Sequence, residues 1–188
     1  MAENKRIPAI RFAGFTEAWE QRKLNDILTF YSGLTYSPNN ITDKNGTLVL
    51  RSSNVKNGEI YLNDNVYVNK NIVNSDNVKK GDIVVVVRNG SRDLIGKHAQ
   101  IKENMSNTVI GAFMTGIRSN EPEFINALLA TKQFFNEIEK NLGATINQIT
   151  TGNFKEMQFF ISEDEKEKRS IGKYFLLLDN IITLHHRK

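Results

Sequence analysis

The hydrophobic period of this chain changes sharply near its C-terminal end, and few folds accommodate the change. Met157, Phe159 and Ile161 alternate as a half-buried strand does. At Ser162 the period becomes helical. Ser162-Glu163-Asp164-Glu165 has capping-box form: the serine oxygen accepts the amide of Glu165, whose carboxylate reaches back. Acids in the first turn also suit the positive end of the helix dipole. Beyond the cap, Ile171, Phe175, Leu178, Ile182 and His185 recur at spacings of four, three, four and three, the heptad seam of a helix packing on a helix. Tyr174, Leu177, Ile181 and Leu184 form a second row. One row is enough to dock the helix on its own domain, so two rows predict apolar surface left for a partner.

Upstream, residues 1–6 read as a disordered polar lead and 7–15 as an extended edge segment, with Trp19 and Leu24 as core anchors. A short helix is expected over 25–32, with Asn25 as N-cap and Gly33 past its end. Strands are expected at 47–51, 60–62 and 66–68, then at 83–88, 97–101 and 108–117. Five β-branched residues in succession, Ile83 to Val87, predict a strand buried on both faces. A helix follows from Glu121, with Pro122 in its first turn, an apolar stripe of Phe124, Leu128, Phe135, Ile138 and Leu142, and Gly143 to end it. Strands first and helices last predict an α+β fold: a mostly antiparallel twisted sheet with packed helices, then a C-terminal amphipathic helix. The expected division is a domain over 1–161 and the helix over 162–188.

Composition narrows the chemistry. The chain has no cysteine, which excludes disulfides and thiolate metal sites and suits a reducing cytoplasm. The expected location is cytoplasmic, since the N-terminus lacks a signal-peptide core and no apolar run approaches membrane-spanning length. Net charge is +4, divided as +5 over residues 1–120 and −1 over 121–188, so the basic excess belongs to the globular part. That balance permits nucleic-acid binding without demanding it. Gly90 to His98 resembles a phosphate loop only superficially. Five residues separate its glycines, His98 stands where a hydroxyl should hold magnesium, and a strand follows in place of a helix. His98 is isolated, and His185 and His186 are adjacent on a helix, so no metal site is expected. No methyltransferase loop occurs either. The chain is expected not to be an enzyme.

The remaining candidates are polar loops between strands. One holds Arg51, Ser52, Ser53, Asn54 and Lys56; another holds Arg88, Asn89, Ser91 and Arg92, with Lys97 and His98 beyond. Arg pairs bidentately with guanine and Asn or Gln with adenine, while Ser and Lys commonly hold phosphates. The bland alternative is that these are solvated loops. In the motif over 145–153, Asn147, Gln148 and the nearby Lys155 are further contact candidates. The alternative there is local hydrogen bonding that fixes the path from helix to strand.

Two stretches carry a family resemblance. Gly143-Ala-Thr-Ile-Asn-Gln-Ile149, the strand, the acidic helix start and Ile171-Gly-Lys-Tyr-Phe-Leu-Leu-Leu-Asp-Asn-Ile-Ile-Thr-Leu-His-His-Arg-Lys188 resemble the end of a target-recognition domain. The opening Ile7-Pro-Ala-Ile-Arg-Phe-Ala-Gly-Phe-Thr-Glu-Ala-Trp-Glu-Gln-Arg-Lys-Leu24 resembles the start of one. The family is the specificity subunits of type I restriction-modification enzymes. The chain departs from its pattern at Ser162, where the family usually has Pro, and at Glu167-Lys168, around its usual Glu-Gln.

The resemblance implies one target-recognition domain plus the start of a conserved spacer helix, about half of a full subunit: a natural half-subunit or a fragment. Its implied partners are double-stranded DNA, read as one half of a bipartite site, and modification (methyltransferase) subunits, with restriction subunits joining through them. S-adenosylmethionine and ATP are then expected on those partners, with no cofactor on this chain. Family members pair two such helices antiparallel. A homodimer through Ile171, Tyr174, Phe175, Leu178, Ile181 and Ile182 is the corresponding expectation here. The rival reading is a protein-interaction or antirestriction half-subunit that engages modification subunits without reading DNA.

Overall fold

The computed structural model describes residues 5–143 and 146–185, without the side chains of residues 183 and 184. Thr145, the outer-row side chain of Leu184 and His186 therefore lie outside the described residues. In chain order the elements are β1 (Lys5–Arg6), β2 (Trp19–Lys23), α1 (Leu24–Ile27), β3 (Thr29–Ser32), β4 (Ile41–Thr42), β5 (Thr47–Leu50), β6 (Val55–Lys56) and β7 (Glu59–Ile60). There follow β8 (Val66–Val68), β9 (Ile83–Val86), β10 (His98–Gln100), β11 (Thr108–Ile110), β12 (Met114–Arg118) and α2 (Pro122–Leu129). The chain ends with α3 (Lys132–Asn141), α4 (Thr151–Glu156), β13 (Gln158–Ile161) and α5 (Glu165–His185).

The fold is α+β, but its strands form several small sheets in place of one large one. Their orders are β1-β2-β13, β10-β9-β12-β3, β11-β5-β8-β4 and the hairpin β6-β7. Among the named strands every pairing is antiparallel except β11 with β5. β9 lies between β10 and β12 with all four residues buried, as a β-branched run without alternation requires. Met157, Phe159 and Ile161 are all buried, so the alternation read at that strand is real.

Several expectations need correction. The helix expected over 25–32 ends at Ile27, and Thr29–Ser32 is a strand on β12. The cause is tertiary. Tyr31 lies flat over Gly116, where a Cβ would come within 2.0 Å of the ring. Its hydroxyl donates to Asp82 at 2.8 Å, and Arg118 stacks on it at 4.3 Å. Residues 7–15 form no edge strand; the short pairing precedes them at Lys5–Arg6. The expected strand over 108–117 is two strands, broken at the Gly111–Met114 turn and placed in different sheets. The long helix from Glu121 is likewise two, because Thr131 starts a second: its hydroxyl accepts the amide of Phe134 at 3.2 Å. Gly143 adopts no left-handed conformation to end it. α4 was not expected. Thr150 caps it through the amide of Asn153, and Phe154 is fully buried.

The start of α5 also differs from the capping box read at Ser162. Asp164 is the cap, accepting the amides of Lys166 at 2.7 Å and Glu167 at 3.3 Å, while Ser162 accepts the amide of Asp164 and bonds the Glu167 carboxylate. Glu167 is wholly buried and serves the N-terminal segment. It receives Arg11 through two bonds of 2.6 and 2.8 Å and the indole of Trp19 at 3.1 Å. Burial alone would push its carboxyl up, but bonds from Arg11, Ser162 and Trp19 outweigh that and hold it below the ordinary carboxylate range. A depressed carboxyl contributes stability that is complete above its ordinary value of 4.5 and is lost as pH falls through the lowered one. Glu167→Gln should therefore flatten the loss of stability below that pH, measured by denaturation at stepped pH; an acid limb unchanged from the parent would refute this.

α5 spans 21 residues, about 31 Å. It docks on α2 where Gly172 lets the backbones meet: a Cβ there would lie 2.7 Å from the amide of Phe124. Ile171 and Leu176 are partly covered. The docked row thus passes through Gly172 and Leu176, a line the heptad reading did not choose. Tyr174, Phe175, Leu177, Ile181 and Ile182 are left 46% to 59% exposed. No helix of the described chain is long and apolar enough to cross a membrane.

Candidate nucleic-acid interface

β5 and β9 each run through the core and release a polar loop on the same side of the molecule. The two loops border one cleft of about 700 Å³. Arg51, Ser52 and Ser53 line it from the first loop, Asn89 and Gly90 from the second, and Tyr36, Ile41 and Phe113 complete its apolar wall. The loops are bonded to each other: the Asn89 amide donates to the Ser52 hydroxyl at 2.9 Å while its carbonyl accepts the amide of Ser91. Asn54 is fully buried beneath, accepting the amide of Arg51 and donating to the carbonyl of Tyr61, so it braces the loop from within.

The segment before α4 joins the same edge. Ile149 donates to the Val87 carbonyl, Arg88 and Gln148 form an antiparallel bridge, and the Asn147 amide donates to the Gly90 carbonyl at 2.9 Å. Asn147 and Gln148 thus sit beside the second loop although about sixty residues separate them in sequence. These bonds reach across to residues 87–90, whereas the local bonding of the alternative reading occurs at Thr150, whose hydroxyl accepts the amide of Asn153.

The arginines differ in their electrostatics. Arg51 donates to the Asp64 carboxylate at 2.7 Å, and its buried Nε has no hydrogen-bond partner among the described residues. Arg92 turns away to Glu139 on α3 at 2.8 Å. Arg88 is exposed, stacks on Phe113 with its guanidinium carbon 4.8 Å from the ring centre, and has no carboxylate partner among the described residues.

The other sequence candidates are dispersed. Lys97 and His98 line a separate recess of about 390 Å³ between β10, α2 and α5. There the His98 ring meets the Gly96 carbonyl at 3.0 Å and the edge of Phe134, and burial pushes its pKa below the ordinary value. Lys56 lies over Tyr61 and Lys155 over Phe30, each at the outer limit of a cation–π contact. No group of His, Asp and Glu suited to a metal ion occurs among the described residues. Phe113 and Tyr36 escaped the sequence reading. The available signal was an aromatic inside the Gly111-Ala112-Phe113 break, where a core role was not required.

The model of one protein family, the type I restriction modification DNA specificity domain, matches residues 16–188. No curated protein matches the chain significantly. Among solved structures it resembles a chain from a study of complex assembly and conformational transition in a type I R-M system, with a TM-score of 0.69 at 13% identity. It also resembles the HsdS subunit of Thermoanaerobacter tengcongensis, with a TM-score of 0.62 at 13% identity, and the type I S subunit of M. genitalium, with a TM-score of 0.62 at 17% identity. These alignments cover 97%, 97% and 92% of this chain but only 43%, 42% and 42% of the others, so it spans about two fifths of their length. At such identities the likeness establishes a shared fold, while the family match extends over nearly the whole sequence. The chain belongs to the type I restriction-modification DNA specificity domain family, a non-catalytic recognition component of those systems.

Proposed function

We propose that this chain reads one half of a bipartite site in double-stranded DNA, with residues 1–161 as the recognition domain and 162–188 as the spacer helix. The observation that carries the reading is the meeting of the loops at 51–53 and 89–90 around one cleft, with 147–148 bonded to the second loop and Arg88, which has no carboxylate partner among the described residues, set over Phe113 of its wall. Loops fixed to one another in this way present donors and acceptors at defined positions, which base-edge recognition needs. The exposed side of α5 engages modification subunits or a second copy of the chain, and restriction subunits join through them. S-adenosylmethionine and ATP then reside on those partners.

Titration of the full chain with duplex DNA at stepped salt concentrations tests this, alone and with cognate modification subunits. The affinity should fall as a power of salt concentration, and the reconstituted complex should methylate one defined site. Binding to modification subunits with no methylation and no salt-dependent DNA affinity would refute DNA reading and favour the interaction-only role.

A further inference from the structure

We propose that Arg88, held over the ring of Phe113 at the edge of the cleft, is the residue that reads a guanine, and that Phe113 is its positioning residue. The inference rests on the DNA-reading role above and separates the three candidate arginines by what each already holds. Arg51 is committed to Asp64, and Arg92 to Glu139. Arg88 has neither hydrogen bond nor ion pair at its guanidinium among the described residues.

Its place is nonetheless fixed. The amides of Val87 and Arg88 both donate to the carbonyl of Phe113, at 3.0 and 3.2 Å, so the two residues are joined through the main chain as well as through the stack. Gln148 bridges Arg88 from its other side. Phe113 is 50% exposed and belongs to neither apolar cluster of the interior, so its ring is kept at the cleft mouth without a packing role. Stacking covers one face of a guanidinium and leaves the N–H groups along its edge directed outward in a plane. That edge matches the paired acceptors O6 and N7 of guanine in the major groove. An ammonium offers no such fork, so lysine keeps the charge and loses the match.

Selection of bound duplexes from a randomised pool, followed by sequencing, tests the assignment with the full chain, alone and with modification subunits. Arg88→Lys should lower the preference for G·C at one position by about ten- to a hundredfold while leaving the salt slope unchanged. Phe113→Leu should relax the same position more weakly, and Arg92→Lys should leave it intact. An Arg88→Lys profile identical to the parent's, or a general weakening spread evenly over all sequences, would overturn the inference while leaving DNA reading in place. A parent that selects no sequence at all under either condition would overturn both.

Discussion

Phe134→Ala is expected to lower the unfolding free energy by about 3–5 kcal/mol, a large share of the ~5–15 kcal/mol that holds a domain of this size. Phe134 is fully buried, and its ring meets Phe154 of α4 at 5.9 Å, Phe159 of β13 at 6.3 Å and His98 of β10 at 6.2 Å between centres. Those three residues come from three separate elements, so truncation removes a shared contact that no single element can close by moving. The amide of Phe134 is also the one capped by Thr131, which fixes the start of α3 and leaves the ring little freedom to be replaced. Phe135, its neighbour, is 37% exposed and should cost clearly less. Urea denaturation of both variants decides the matter. A loss at Phe134 no greater than that at Phe135 would show that the aromatic junction does not hold these elements together.

Period and propensity made some of this architecture legible and concealed the rest for identifiable reasons. Ile83 to Val87 read as a doubly buried strand, and all five are buried, although the strand itself ends at Val86. Thr131 was readable as a cap, yet the apolar stripe from Phe124 to Leu142 continued across it and hid the restart. Thr29–Ser32 obeyed long-range pairing with β12 over any local preference. The candidate site was partly legible for the same kind of reason. Residue type marked Arg51 and Arg88, but sequence proximity grouped Lys97 and His98 with Arg88. The left-handed Gly96, pressed against Phe134, Phe135 and Ile138, carries the chain away into another recess. Conversely, Asn147 and Gln148 lie far along the chain and are joined to the second loop by bonds to the main chain of 88–90, one of them from the Asn147 side chain. Spacing cannot report bonds of that kind.

Leu177→Glu combined with Ile181→Glu is expected to abolish association through α5 while leaving the domain folded. The two side chains stand one turn apart on the face turned away from α2 and are 59% and 54% exposed, so neither supports the fold as it stands. Leu178 is a poorer choice because it is half-buried, and a charge there would confuse loss of a partner with loss of docking. Burying a side chain of this size contributes about 1.5–3 kcal/mol, and a two-fold interface counts every substitution twice. The dissociation constant of a homodimer should therefore rise by a factor of at least ~100. The same face extends to the N-terminal segment, where Phe12 meets Tyr174 edge-on at 5.6 Å, so the apolar patch is wider than the helix alone. Contiguous exposed apolar area of this kind marks an interface in a folded domain. Light scattering over rising protein concentration, with and without modification subunits, separates the outcomes. A parent that dimerises alone supports pairing of two copies, and one that associates only when modification subunits are added supports their docking on this face. A parent that remains monomeric and unbound in both conditions, indistinguishable from the double variant, would remove α5 as an interface.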